Sequence, residues 1–173
     1  MTEPATTSAA ARDYWRRAGE RFDAGDFEAA MVLYKQAALA DPRFAEAFNG
    51  LGLTFYEQGW HWEAAMAYQR AISLKRDFVE AHANLGAVLF RMGHLDVAIE
   101  QLRRALELAP DRAELHNNLA LALEQAGRAT EAVPHFDRFA ALWQGDAALA
   151  EAARVRAQKL RQGVATPLRP EAP

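Results

Sequence analysis

Apolar side chains recur along this chain with helical spacing, in paired blocks separated by glycine. In one block, Ala81, Leu85, Val88, Leu89 and Met92 follow the i, i+4, i+7, i+8, i+11 pattern that places side chains on one face of an α-helix. A second block follows the same rule after Gly93, through Ala98, Leu102, Ala105, Leu106 and Ala109. Glycine readily adopts the left-handed conformation that ends a helix. The pattern therefore predicts two amphipathic helices joined by a turn at the glycine.

This helix pair recurs every 34 residues. Two columns of small residues mark the period: Gly25, Gly59, Gly93 and Gly127, and Ala30, Ala64, Ala98 and Ala132. A third column lies on the first helices, where it is expected to face the alanines: Ala18, Gly52, Gly86 and Ala120. Aligned on the glycines, the repeats span residues 11–44, 45–78, 79–112 and 113–146. Such units stack because none buries its apolar face alone, so the sequence predicts an all-α array of four helix pairs.

The segments outside the array have different patterns. Residues 147–163 are rich in alanine and periodic through Leu149, Ala153, Ala157 and Leu160. They predict a C-terminal helix that caps the last repeat and offers solvent a polar face. Residues 1–10 and the proline-rich residues 164–173 are predicted to be disordered tails.

Composition narrows the function classes. The chain has 20 Lys and Arg against 23 Asp and Glu, a net charge of −3, so it lacks the basic footprint that nucleic-acid binding requires. It has no cysteine, which excludes disulfides, thiolate chemistry and Cys-ligated zinc. The N-terminus has neither the basic nor the apolar region of a signal peptide, and no apolar run is long enough to insert into a membrane. We therefore expect a cytoplasmic protein.

The repeats resemble the tetratricopeptide repeat (TPR). The second repeat has the signature residues Phe48, Leu51, Gly52, Phe55, Gly59, Ala64, Tyr68 and Ala71. The third matches through Leu85, Gly86, Leu89, Gly93, Ala98, Leu102, Ala105 and Pro110. The resemblance covers residues 11–146 and implies a right-handed superhelix of four helix–turn–helix repeats, with the C-terminal helix as its cap. The last repeat departs from the pattern at Phe139, where the other repeats have alanine.

The resemblance also implies a ligand site, because in this family the first helices of the repeats line a concave groove. The groove positions carried over are Trp15, Phe22, Asn49, Leu53, Tyr56, Asn84, Ala87, Phe90, Arg91, Asn117, Asn118, Leu121 and Glu124. Phe22, Tyr56 and Phe90 recur at the repeat period and form an aromatic ladder for a ligand, or else pack within the array. Asn84 and Asn118 are also one period apart. Their amides either pair with the backbone of an extended peptide or bond within the array.

Two further sets of residues have alternative interpretations. Glu46, Glu80 and Glu114 form a column that either favours basic ligands or, for the last two, completes capping boxes with Asp77 and Asp111. Trp60 and Trp62 flank a turn. We expect Trp62 to pack against the second helix and Trp60 to be partly exposed as a secondary interface.

No residues predict catalysis, a metal or a cofactor. His82 and His116 are equivalent in the repeat register, but two ligands rarely make a metal site, and the chain has only two serines, Ser8 and Ser73. Within the family, carboxylate-gripping members use lysine, arginine and asparagine over three repeats. Gly19, Gly50 and Ala83 stand at some of those positions, so binding of chaperone C-terminal tails is not expected.

Three functions remain open. The first is a non-enzymatic scaffold or adaptor that binds a partner peptide or helix in its groove. The second is a small cytoplasmic chaperone that shields an apolar client segment, as TPR chaperones of bacterial secretion systems do. The third is self-assembly into a homo-oligomer.

Overall fold

The computed structural model describes residues 7–163, and within them the chain forms nine α-helices and no strand. The helices are α1 (Ala9–Asp23), α2 (Phe27–Ala40), α3 (Ala45–Glu57), α4 (His61–Leu74), α5 (Val79–Arg91), α6 (Leu95–Leu108), α7 (Ala113–Gln125), α8 (Ala129–Leu142) and α9 (Ala147–Arg161). The all-α repeat fold predicted from the periodicity is confirmed. Among the described residues no helix is long and apolar enough to cross a bilayer.

The glycine column ends the first helix of each repeat, as predicted. Gly25, Gly59, Gly93 and Gly127 have φ angles of 75°, 77°, 80° and 74°, in the left-handed region. At the first of these turns, the Gly25 N–H donates to the Phe22 carbonyl and the Asp26 N–H donates to the Arg21 carbonyl, both at 2.9 Å. These are the two hydrogen bonds of a Schellman motif. Each glycine therefore closes its helix and turns the chain into the next one.

The chain divides into two compact units, Met1–Val88 and Leu89–Pro173. In the first unit α1 packs on α2, α2 on α3, and α3 on α4. In the second unit α6 packs on α7, α7 on α8, and α8 on α9. These helices thus pack on their neighbours in sequence, which is the packing expected of a repeat array.

The largest buried side chains of the second helices recur at the repeat period: Tyr34, Tyr68, Leu102 and Phe136. The two tyrosine rings lie against glycines of first helices. A Cβ atom on Gly50 would lie 2.3 Å from the Tyr34 ring, and one on Gly52 would lie 2.4 Å from the Tyr68 ring. The nearest side chain to Gly52 is therefore an aromatic ring rather than the alanine column. Glycine at these two positions makes room for the rings.

The first and the last described helices, α1 and α9, both begin at a residue whose side chain caps the helix. The Ser8 hydroxyl accepts from the Ala11 N–H at 3.1 Å, so α1 begins inside the segment 1–10 that was predicted to be a disordered tail, and that prediction is wrong for residues 8–10. The rest of the predicted tails, residues 1–6 and 164–173, lies outside the described residues. At the other end, the Asp146 carboxylate accepts from the Ala148 N–H at 2.8 Å and starts α9.

Helix α9 packs on α8 through small side chains. Ala150, Ala153 and Ala157 are buried, whereas Leu149 is 51% exposed although it belongs to the predicted apolar stripe. Alanines allow a close approach of the two helices, and the larger leucine is left at the surface.

Candidate functional site

In the Met1–Val88 unit, the predicted groove side chains lie on α1, α3 and the first part of α5, and they are partly exposed. Trp15 makes an edge-on contact with Phe44, with ring centroids 6.0 Å apart. Leu53 and Tyr56 are half-buried. The exposed part of these side chains is what a ligand on this face would contact.

The aromatic side chains predicted to form a ladder are held by residues of their own repeats. The Phe22 ring lies 5.3 Å from Phe27, and the Tyr56 ring lies 5.5 Å from His61. No ring contact joins Phe22 to Tyr56 within this unit. Phe90 belongs to the other unit, where it is half-buried. These contacts give Phe22 and Tyr56 a packing role, and both rings keep part of their surface exposed.

The two asparagines of the first unit's groove bond to each other. The Asn84 amide donates to the Asn49 side-chain oxygen at 3.1 Å. This is the alternative in which the asparagines bond within the array. Ala87 of the first unit is half-buried, and Arg91 of the second unit is exposed. The side-chain pair holds α3 and α5 in register.

The Leu89–Pro173 unit has a pocket of about 360 Å³ between α7, α8 and α9. Its apolar lining consists of Leu121, Phe136, Phe139, Trp143, Leu149, Ala152 and Ala153. Its polar lining consists of Glu114, Asn117, Asn118 and Arg156. Phe136 and Phe139 are buried and form the floor, whereas Glu114 and Leu149 are exposed at the rim. This size and mixture of side chains are typical of a small ligand site.

Two asparagine amides in this pocket have no partner. Among residues 7–163, neither Asn117 nor Asn118 makes a hydrogen bond, and both are half-buried. Asn118 is the counterpart of Asn84, whose amide is already bonded to Asn49. In the repeat register Ala83 stands where Asn49 does, and alanine offers no amide acceptor. At the same repeat position, the asparagine side chain is therefore hydrogen-bonded in the third repeat (Asn84) and has no hydrogen bond to the described residues in the fourth (Asn118).

The glutamates that were predicted to form an acidic column differ in their contacts. Glu46 pairs with Lys75 at 3.2 Å. The predicted capping box of Asp111 and Glu114 is wrong, because the N-cap residue of α7 is Arg112 and the Asp111 carboxylate instead accepts from Arg138 at 2.7 Å. Asp77 lies two residues before the start of α5, so it is not in the N-cap position either. Glu114 has no ion-pair or hydrogen-bond partner in the described part of the chain.

Glu124, one of the predicted groove residues, forms an ion pair with Arg156 of α9. The Arg156 guanidinium donates to its carboxylate, and the same guanidinium lies over the Phe136 ring at 5.5 Å from the centroid. The Glu124 side chain is only 7% exposed. A ligand therefore cannot reach this carboxylate while Arg156 is in place, so Glu124 is not an open groove position.

Two histidines form a pair between α7 and α8. Their Nδ1 atoms are 3.0 Å apart, and His116 Nε2 lies 2.9 Å from the Pro110 carbonyl oxygen. Burial, with a smaller contribution from His116, lowers the pKa of His135. The described residues contain no group of three side chains suited to hold a metal ion. The two imidazole rings are within hydrogen-bonding distance of each other.

Both tryptophans at the turn are exposed, which was expected for Trp60 but not for Trp62. Trp60 is 45% exposed and stacks on Phe55 with ring centroids 5.8 Å apart. Trp62 is 64% exposed, so the expectation that it packs against the second helix is wrong. Trp60 is the N-cap residue of α4 and Trp62 is the second residue of that helix, and the stack on Phe55 is made by Trp60.

Sequence reasoning missed the pocket walls that come from outside the first helices. Leu149 and Arg156 lie in the segment 147–163, which was interpreted only as a cap, and Trp143 lies near the end of the last repeat, after its core positions. One signal was present, because Phe139 replaces the small residue of the other repeats. Its ring lies 5.2 Å from Trp143 and is part of the pocket floor.

Two family models match the chain. The model described as Tetratricopeptide repeat matches residues 83–147, and the one described as TPR repeat matches residues 20–59 and 62–93. Together they extend over most of the array predicted from the 34-residue period. A search of curated protein sequences gives no match.

Solved structures with the same fold are many. The first TPR of Spaghetti (RPAP3), bound to the HSP90 peptide SRMEEVD, is 22% identical with a TM-score of 0.68, covering 69% of this chain and 95% of its own. YrrB, described as a TPR protein with an unusual peptide-binding site, is 21% identical with a TM-score of 0.70, covering 87% and 82%. The pilF protein of Pseudomonas aeruginosa is 22% identical with a TM-score of 0.75, covering 90% and 75%. At these identities the likeness concerns the fold.

Proposed function

Because the chain belongs to the tetratricopeptide repeat family, we propose that it is a non-enzymatic protein-interaction module that binds a partner segment on its first helices. The observation that carries this proposal is the pocket beside α7, whose floor is aromatic and whose asparagine side chains make no hydrogen bond to residues 7–163. Half-buried side-chain amides beside an apolar cavity can donate to and accept from the backbone of an external ligand. A cytoplasmic location is part of the proposal.

The fold neighbours support a peptide as the ligand. One of them is bound to a peptide and another is described by its peptide-binding site. The ligand chemistry differs from that of the HSP90 peptide SRMEEVD, which has three acidic residues in its last four. Gly19, Gly50 and Ala83 provide no charged side chain at the positions where the family grips a carboxylate. We therefore propose recognition through apolar burial and amide bonds rather than through an acidic terminus.

The test is affinity purification of the full chain from its native host, followed by mass spectrometry. The double variant Tyr56→Ala with Phe90→Ala removes a groove ring from each unit and is expected to lose at least ~90% of the captured partner, about a tenfold change in affinity. The matched control is Val32→Ala with Val97→Ala, which removes one exposed apolar side chain per unit from the second helices. Equal capture by wild type and the Tyr56 and Phe90 variant would contradict groove binding.

Self-association is a second candidate, favoured by the exposure of Trp62 and Met66 one turn apart on α4. Exposed apolar side chains in such proximity are typical of contact surfaces. Light scattering on the purified chain separates this function from that of a monomeric adaptor. A chaperone would differ from both, because it would co-purify with one apolar client rather than with an assembly.

A further inference from the structure

We propose that the pocket between α7, α8 and α9 receives an apolar side chain of an extended partner segment, and that this segment carries a basic residue beside the apolar one. This inference rests on the proposed function and specifies the chemistry of its ligand. It assigns α9 a binding role in addition to capping, because Leu149, Ala152, Ala153 and Arg156 of α9 form one wall of the pocket.

The floor and walls define the apolar part of the ligand. Phe136 and Phe139 are buried below the cavity, and Leu121 and Trp143 are half-buried at its sides. Leu149 leaves half of its surface exposed at the rim, where a bound side chain would cover it. A volume of about 360 Å³ is at the lower end of the range for ligand pockets, so it suits one large side chain rather than a helix.

The asparagines define the backbone part. Each unpaired amide of Asn117 and Asn118 offers one acceptor and two donors, which match the N–H and C=O groups of an extended chain. A helical ligand would satisfy these backbone groups internally and leave nothing for the amides. The two amides therefore favour an extended segment over a helix.

The charged side chains around the pocket indicate which residue of the partner segment lies beside its apolar residue. Arg156 is neutralised by Glu124 and lies over the Phe136 ring, and Asp111 at the start of α7 is paired with Arg138. Glu114 is the lining charge that has no partner in the described part of the chain. The pocket thus has an uncompensated negative charge at its rim, which complements lysine or arginine and repels an acidic peptide.

The experiment uses the full chain and three fluorescent octapeptides of glycine and serine, acetylated and amidated to remove terminal charges. Their central triplets are Lys-Leu-Lys, Glu-Leu-Glu and Lys-Ala-Lys, and binding is followed by fluorescence anisotropy. The first peptide is expected to bind at least ~tenfold more tightly than either of the others. Equal binding of the three peptides overturns the proposal.

Variants place the peptide in the pocket. Ala152→Phe, at an exposed lining position, fills the cavity and is expected to weaken Lys-Leu-Lys binding about tenfold. The matched control Gln158→Phe adds the same ring at an exposed α9 position outside the lining and leaves binding unchanged. Leu121→Ala enlarges the pocket instead of filling it and weakens binding about fivefold, so the test survives a folding defect in either variant. Glu114→Gln reduces the preference for lysine over glutamate by about fivefold.

The failure of this proposal is distinguishable from failure of the proposed function. If the native partner is lost in the Tyr56 and Phe90 variant but Lys-Leu-Lys binding is the same in Ala152→Phe and Gln158→Phe, the pocket is not the site and groove binding stands. The opposite result is also possible: the Ala152→Phe and Glu114→Gln variants change peptide binding, while the Tyr56 and Phe90 variant captures as much native partner as wild type. That result supports the pocket and contradicts groove binding.

Discussion

Arg156 and Glu124, 32 residues apart in the chain, form an ion pair that fastens α9 to α7. The arginine side chain is 30% exposed and the glutamate side chain 7%. One carboxylate oxygen, Glu124 Oε2, accepts from Arg156, while Oε1 is buried without a hydrogen-bond partner among the described residues. The carboxylate therefore depends on one arginine for its compensation, and removing that arginine leaves a buried charge unpaired.

Arg156→Ala is expected to destabilise the chain by roughly 2–3 kcal/mol, because Glu124 loses its counter-charge. Urea unfolding followed by circular dichroism measures this change. The matched control is Arg104→Ala, since the pair of Arg104 with Glu107 is exposed and is worth at most about 0.5 kcal/mol. The double variant Glu124→Leu with Arg156→Leu removes both charges and is expected to recover most of the loss. A single variant as stable as wild type would show that the pair contributes nothing.

Gly50→Ala is expected to destabilise the chain although alanine is the better helix former. Alanine in place of glycine inside a helix gains about 1 kcal/mol, but a Cβ atom 2.3 Å from the Tyr34 ring forces a buried side chain to move, at a cost of about 2–3 kcal/mol. The net loss is about 1–2 kcal/mol, measured by urea unfolding. Gly19→Ala is the control, because its Cβ would meet only the Tyr34 hydroxyl at 3.9 Å, and it is expected to stabilise by about 0.5–1 kcal/mol. Adding Tyr34→Leu to Gly50→Ala relieves the clash; if it does not reduce the penalty of the glycine change, the ring is not its cause.

Local patterns were sufficient to predict the helices and turns. The apolar spacing and the glycines act within one repeat, and the left-handed Gly25, Gly59, Gly93 and Gly127 confirm the predicted turns. The identity of the contacts was not predictable in the same way. Glycine at positions 50 and 52 is required by tyrosine rings from other helices, and a column of small residues does not reveal what lies opposite.

The candidate site was predictable only in part for the same reason. Asn84 and Asn118 occupy the same position of the repeat. The Asn84 amide is bonded to Asn49, whereas the Asn118 amide lines the pocket beside α7. Likewise, Glu124 has a groove position in the sequence pattern, but in the structure its side chain is nearly buried and paired with Arg156. Pairings between side chains about 30 residues apart depend on how helices pack, which the helical period alone does not specify.

The two turn tryptophans are expected to differ in their effect on stability. Trp60→Ala removes the stack on Phe55 and is expected to cost about 1 kcal/mol, whereas Trp62→Ala removes the more exposed ring and is expected to cost less than about 0.5 kcal/mol. Chemical unfolding of the two variants under the same conditions makes the comparison. If the chain self-associates through this face, Trp62→Ala also lowers the mass measured by light scattering. A larger stability loss for Trp62 than for Trp60 would contradict the packing described above.

The histidine pair is expected to make the stability of the chain depend on pH. Burial lowers the pKa of His135 from its usual value of 6.5, and the neighbouring His116 and Arg103 act in the same direction, while Glu131 opposes them. The unfolded chain then binds a proton more readily than the folded one, so this stabilisation is complete above about pH 6.5 and is lost as the pH falls below it. The urea midpoint is therefore expected to fall between pH 7.5 and pH 5, through protonation that also disrupts the Nδ1–Nδ1 contact. His135→Gln should reduce that fall, whereas His94→Gln, at an exposed position, should leave it unchanged. A pH dependence that is the same in wild type and His135→Gln would place its origin in other groups.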